Sequence, residues 1–279
     1  MKINSNQLYI VSTPIGNLED ITLRALHVLK NSDIILCEDT RRSIKLLSYY
    51  KIKKRLISYH KFNEKKQLQN IIEHFKKGKI LSLICDAGTP LLSDPGKILV
   101  NKCIENKIKV VPIPGASAIT AAISVSGFDD KFLFYGFLPK TENELEKVLT
   151  SLTENDQTIV FFIPSNKINF YLKSFKKFFA GREILIAKEM TKIHETLLRG
   201  DIGEFKLFKD TIKGELTVVI SSNKSRYKKY DEEKIVNKIK KYLKLYSLKD
   251  TVEIIRDTEK VNKKKIYDLC LKIKNEKKN

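Results

Sequence analysis

A chain of 279 residues, 42% hydrophobic and 31% charged, has the composition of a folded protein of one large or two smaller α/β domains, which excludes a disordered or fibrous one. Its formal net charge of +20 suits a polyanionic partner, and nucleic acid is the expected one. No apolar stretch approaches the ~20 residues that span a bilayer, and residues 1–7 lack the apolar core of an export signal, so a cytoplasmic protein away from membranes is expected.

The first apolar run, Leu8-Tyr9-Ile10-Val11, reads as a buried strand and ends in the loop Ser12-Thr13-Pro14-Ile15-Gly16-Asn17. Leu23, Leu26 and Leu29 then fall at helical spacing over 22–30, with Asp20 placed to cap the helix. Ile34-Ile35-Leu36-Cys37 is a second strand, followed by a helix over 42–50, a strand at 56–58 and a helix over 64–77 stopped by Gly78. The strand 80–85 leads through Asp86-Ala87-Gly88-Thr89-Pro90 to a helix opening near Asp94-Pro95, where proline suits the first helical position. The strand 109–112 leads through Pro114-Gly115 to a helix of small residues over 117–126. Strands alternating with helices of this length predict a largely parallel sheet covered on both faces.

Gly136-Phe137-Leu138-Pro139-Lys140 marks a boundary. A polar helix at 142–152, a strand at 158–163, a helix at 167–179 and strands at 183–188, near 195–199 and at 215–221 make a second α/β unit. Residues 223–279 carry 19 Lys and Arg against 9 Asp and Glu, so half of the net charge sits in a fifth of the chain. Ile235, Ile239 and Leu243, then Ile266, Leu269 and Ile273, keep helical spacing, which predicts a small basic helical module and not a disordered tail. The expected divisions are 1–138, 139–222 and 223–279.

The site is expected where strand ends meet their loops. Small residues at 86–90 and 112–117 let backbone approach a ligand closely, and suggest a site built from backbone more than from reactive side chains. No Gly-x-Gly-x-x-Gly follows a strand and no Gly-x-x-x-x-Gly-Lys-Ser/Thr is present, which argues against a Rossmann dinucleotide site and removes a P-loop. The four histidines show no ligand spacing and the four cysteines form no Cys-x-x-Cys, so neither a metal nor a disulfide is expected. Glu38-Asp39-Thr40-Arg41-Arg42 is more specific. Asp39 or Thr40 can cap the next helix, whereas Arg41 and Arg42 in its first turn oppose the helix dipole and are better placed to grip phosphate.

Taken in order, Thr13-Pro-Ile-Gly-Asn-Leu18 with Asp20-Ile21-Thr22 and Arg24-Ala25-Leu26, Glu38-Asp39-Thr40-Arg41, Asp86-Ala87-Gly88-Thr89-Pro90 with Asp94-Pro95-Gly96, Pro114-Gly115 with Ser117-Ala118, Gly136-Phe137-Leu138-Pro139, Lys188-Glu189-Met190-Thr191-Lys192 with His194-Glu195, and Gly214-Glu215 resemble one family. It is the branch of tetrapyrrole-methylase-like S-adenosylmethionine (SAM) enzymes that methylates small-subunit ribosomal RNA. The resemblance runs from about Leu8 to Ser221, more weakly beyond. It implies two α/β domains with SAM in the cleft between them, a homodimer, and 2′-O-methylation of a cytidine in the decoding region of 16S rRNA, free or in the assembled small subunit.

On that reading Ala87, Gly88, Thr89, Leu92, Ser117, Ala118 and Phe162 line the cofactor site, and Arg41, Arg42 and Asn17 meet the RNA. A proton acceptor for the ribose hydroxyl is expected among Asp39, Asp94, Glu189 and Lys188, with Glu189 the first choice. Where the family usually shows Phe-Tyr-Glu-Ser-Pro-His-Arg, this chain has Phe161-Phe162-Ile163-Pro164-Ser165-Asn166-Lys167, keeping the aromatic pair and none of the acid, histidine and arginine. Two other readings stand beside this one: a small-molecule methyltransferase of tetrapyrrole type, opposed by the basic end module, and a non-catalytic RNA-binding relative, opposed by the cofactor-type loops.

Overall fold

The computed structural model describes residues 3–223, 232–259 and 263–276. Five strands, β1 (Gln7–Val11), β2 (Ile34–Cys37), β3 (Arg55–Ser58), β4 (Leu81–Leu83) and β5 (Lys109–Ile113), form a wholly parallel sheet in the order β3-β2-β4-β1-β5. Successive side chains of a strand point to opposite faces. Leu8, Ile34 and Leu36 therefore enter one core with Phe75 and Leu99, while Tyr9, Ile35 and Cys37 enter another with Val28 and Leu47. Two buried faces explain why the inner strand β2 is apolar throughout instead of alternating.

Helices α1 (Leu23–Asn31) and α2 (Thr40–Tyr49) cover one face, and α3 (Glu64–Lys76) and α4 (Lys97–Glu105) the other. Two helix starts differ from expectation. Thr22, not Asp20, caps α1, accepting the Ala25 N–H at 3.1 Å, because Asp20 is taken up in a one-turn 3₁₀ helix, Leu18–Asp20. Pro95 does not open α4. Gly96 at φ +133° precedes it, and its N–H is accepted by the buried carboxylate of Glu64 at 2.7 Å.

The second sheet is mixed, in the order β6-β7-β10-β8-β9, from β6 (Phe132–Phe137), β7 (Thr158–Pro164), β8 (Glu183–Lys188), β9 (Thr196–Asp201) and β10 (Glu215–Ile220). β6 was not expected from the sequence. It lies before the expected boundary at 138 yet pairs with β7, so sheet membership changes between β5 and β6, with a register irregularity between Phe134 and Gly136. Ile159, Phe161 and Ile163 face α6 (Glu142–Thr153) and α7 (Ile168–Phe178). Val160, Leu185, Ala187 and Val219 on the other face pack against Ile15 and against Ile119 and Ala122 of α5 (Ala118–Ser124). That shared core joins the two sheets.

Helices α8 (Glu232–Tyr242), α9 (Leu248–Glu259) and α10 (Lys263–Glu276) close a small core of their own around Ile239, Val252, Ile255, Ile266 and Cys270. Parts of the expected basic module, 224–231, 260–262 and 277–279, lie outside the described residues. All four cysteines are free and buried. Among the described residues no helix is long and apolar enough to cross a membrane, and no group of three or more His, Cys, Asp or Glu is arranged to hold a metal.

Candidate active site

The loops after β1, β4 and β5 leave the same edge of the parallel sheet and are tied together by hydrogen bonds. Thr13 N donates to Gly88 O at 2.8 Å and Gly88 N returns to Thr13 O at 3.0 Å. Thr89 Oγ1 stands 2.9 Å from Ser12 Oγ and donates to Ala116 O at 3.2 Å, so one threonine holds three loops. Such side-chain bonds replace ladder hydrogen bonds where strands end.

These loops face the second sheet across a cavity of about 370 Å³. All seven residues expected at the cofactor line it: Ala87, Gly88, Thr89, Leu92, Ser117, Ala118 and Phe162. Phe162 comes from β7 and meets Phe134 and Phe137 edge-on or tilted, with centroids 5.1 and 5.5 Å away. The opposite wall is Gly214–Thr217, leading into β10. Sequence reasoning placed neither Phe137 nor this segment in the site, although Gly136-Phe137 and Gly214-Glu215 were among the motifs. In the altered 163–167 stretch, Ile163 and Pro164 are cavity wall and Ser165–Lys167 form a 3₁₀ turn.

The acceptor candidates separate by geometry. Asp39 caps α2 through Arg41 N and takes the Arg41 guanidinium on both oxygens, at 3.1 and 2.7 Å. The Arg41 guanidinium lowers its pKa to about 2, so it is a weak base. Glu189 Oε1 accepts the Glu215 N–H at 2.9 Å and Lys192 Nζ at 3.0 Å, and the backbone bond foremost holds its carboxyl below the usual range. Glu189 is not on the cavity wall and neither is Lys188, which ends β8 between Leu216 and Thr196. The Glu189 carboxylate is occupied in fixing backbone, so of the expected acceptors Asp94 is the one whose surroundings suit a base better. Asp94 does line the cavity. Burial raises its pKa and Asp86 adds to this, against an opposing hydrogen bond with Cys85. Burial first, then Asp86 and Asp94, also raises that of Glu38.

Arg42 reaches the cavity rim and pairs with Asp86 at 3.4 Å, while Arg41 is exposed beside it. Asn17 is elsewhere. Its side chain accepts the Glu19 N–H, and its backbone N–H donates to Thr191 Oγ1 at 3.0 Å, bridging the loop after β1 to the turn after β8. Packing there is tight: a Cβ on Gly16 would stand 2.5 Å from Lys192 Cγ and 2.7 Å from Thr191 Oγ1.

Two α/β sheets around a cavity of strand-end loops define a class, and the sequence matches the family Tetrapyrrole (Corrin/Porphyrin) Methylases over residues 7–206. The methyltransferase CobJ has a similar fold, with a TM-score of 0.60 at 16% identity over 77% of this chain and 94% of that one. So does uroporphyrin-III C-methyl transferase from Thermus thermophilus, solved as a complex with S-adenyl homocysteine, with a TM-score of 0.54 at 15% identity over 76% and 96%. The chain is 45% identical to ribosomal RNA small subunit methyltransferase I of Thermotoga maritima over 77% of its own length and 98% of that protein. It is 42% identical to the protein of that name from Rickettsia prowazekii over 96% and 97%. The chain belongs to the ribosomal RNA small subunit methyltransferase I family.

Proposed function

We propose that this protein transfers a methyl group from SAM to small-subunit ribosomal RNA, at the ribose 2′-oxygen of a cytidine in the decoding region. The observation that carries the reading is the convergence of seven loop and strand residues on one cavity between the sheets. At about 370 Å³ it lies in the range of ligand sites, ~300–1,000 Å³. Its walls fit the cofactor, with Phe162 and Phe137 offering an apolar slot and Thr89, Ser93, Asp94 and Ser117 supplying polar groups.

Bound SAM supplies an electrophilic methyl group on a sulfonium. The protein's part is then positioning, with the interlocked loops fixing one reactant against the other. Asp94 is the acceptor we assign to the ribose proton, since of the four candidates only it lines the cavity and its raised pKa makes it a stronger base. Arg41 and Arg42 bind RNA phosphates beside the cavity, where their exposed guanidiniums would exchange the Asp39 and Asp86 carboxylates for phosphate. Homodimer formation and a cytoplasmic setting, where the ribosomal substrate is found, belong to the same proposal; sedimentation equilibrium tests the first.

Calorimetric titration with S-adenosylhomocysteine, followed by incubation of labelled SAM with unmodified small subunits, tests the function. Micromolar binding and label at a cytidine 2′-oxygen are the expected results. A folded protein that binds no S-adenosylhomocysteine overturns the reading.

A further inference from the structure

Phe62 is 94% exposed, yet the turn that carries it is well built. His60 N donates to Asn63 Oδ1 at 2.8 Å, Asn63 Nδ2 to Ser58 O at 3.0 Å, and Asn63 N to His60 O at 2.9 Å. Phe62 N donates to His60 Nδ1 at 3.3 Å, and the two rings meet edge-on at 6.1 Å. A phenyl ring held out into water by an ordered turn is not explained by the core.

Its surroundings point to a partner. The turn follows β3, which pairs in parallel with β2, so it leaves the sheet on the edge that carries Arg41 and Arg42 and, one strand further, the Asp86 loop. Two strand spacings separate β3 from β4, about 10 Å. Glu64, the first residue of α3, accepts the Gly96 N–H and so fastens this turn to the loop bearing Asp94. Lys61, Lys65 and Lys66, within four residues of Phe62 in the chain, are exposed as well. Lys65 and Lys66 lie in the first turn of α3, as Arg41 and Arg42 do in α2, where cations oppose the helix dipole. Neither pair is there to stabilise its helix.

An exposed aromatic face bordered by cations is the means by which proteins hold unpaired bases of single-stranded RNA. Resting on the rRNA activity proposed above, we infer that Phe62 is a stacking platform for a base of the RNA strand entering the cavity, with Lys61, Lys65, Lys66, Arg41 and Arg42 holding the adjoining phosphates. Stacking tolerates every base, so the platform positions the strand without reading its sequence.

The test compares wild type, Phe62→Ala and Phe62→Trp by methyl transfer to unmodified small subunits and by filter retention of those subunits without SAM. Phe62→Ala is expected to raise the KM for subunits by about 5- to 150-fold, the worth of one stacked base, with S-adenosylhomocysteine affinity unchanged and Phe62→Trp restoring the wild-type value. An unchanged KM in Phe62→Ala overturns the proposal. So does a change in oligomeric state of that variant by sedimentation velocity, which would assign the ring to an interface between copies of this chain. Should wild type transfer no methyl group, the enzymatic reading fails by itself, and filter retention still decides the platform: equal retention of wild type and Phe62→Ala overturns it.

Discussion

Glu189 Oε1 accepts the backbone N–H of Glu215 at 2.9 Å, while Glu189 N donates to Glu215 O at 3.0 Å. The acid thus grips, on both sides, the backbone that forms one wall of the cavity. It does so from φ +52°, and a Cβ on Gly214 would stand 2.4 Å from its carboxylate. Glutamine keeps the acceptor, so Glu189→Gln retains S-adenosylhomocysteine affinity within about two-fold, whereas Glu189→Ala removes a hydrogen bond to a charged group and costs about 1.5–3 kcal/mol of stability. Urea midpoints and calorimetry check both. A low folded-state pKa adds stability that is present above the ordinary 4.5 and fades as pH falls through the folded value. The gap between wild type and Glu189→Gln therefore narrows on acidification.

Asp94→Asn is expected to lower kcat by about 10²- to 10⁴-fold with little change in S-adenosylhomocysteine affinity. As a base Asp94 works only when ionised, and its pKa is raised, so wild-type kcat falls on acidification at a pH above the ordinary 3.8. Single-turnover rates against pH check this. Wild-type turnover in Asp94→Asn removes the assignment.

Gly16→Ala forces a methyl group against Lys192 and Thr191 at the seam between the two sheets. Overpacking of this kind costs about 1–3 kcal/mol. Thermal denaturation reads the destabilisation. Because Ile15 lines the cavity next door, S-adenosylhomocysteine binding weakens in the same variant.

Among the described residues, 223–279 contribute nothing to the cores of the two sheets, since the helical module buries its apolar side chains in a core of its own. When residues 223–279 are removed, cofactor affinity is expected to persist, while RNA binding weakens. Its salt dependence flattens by about 0.7–0.9 log units per log salt for each phosphate that the module would have neutralised. Filter retention across a salt series checks it.

The loops that line the cavity could be read from sequence because strand-end loops that approach a ligand need small residues, and Ala87, Gly88, Ser117 and Ala118 sit just past apolar runs. The wall at 214–217 was less visible: Leu216 and Thr217 lie inside β10, and nothing local says which face meets a ligand. The setting of Glu189 was hidden for a related reason. A carboxylate at a strand end resembles a base until the left-handed turn that aims it at Glu215 is known. β6 was missed because its Gly136 irregularity and the nearby Pro139 read as loop, and only pairing with β7 makes a strand of it. Asp20 and Thr22 are both fair caps, and the 3₁₀ turn decides between them.

The four cysteines all lie in cores, so the folded chain presents no thiol at its surface. A single Leu245→Cys, on the exposed turn between α8 and α9, gives the native state one reactive handle without background labelling. A fluorophore attached there reports in real time when the basic module meets a ribosomal subunit, and whether it arrives before or after the cavity is filled.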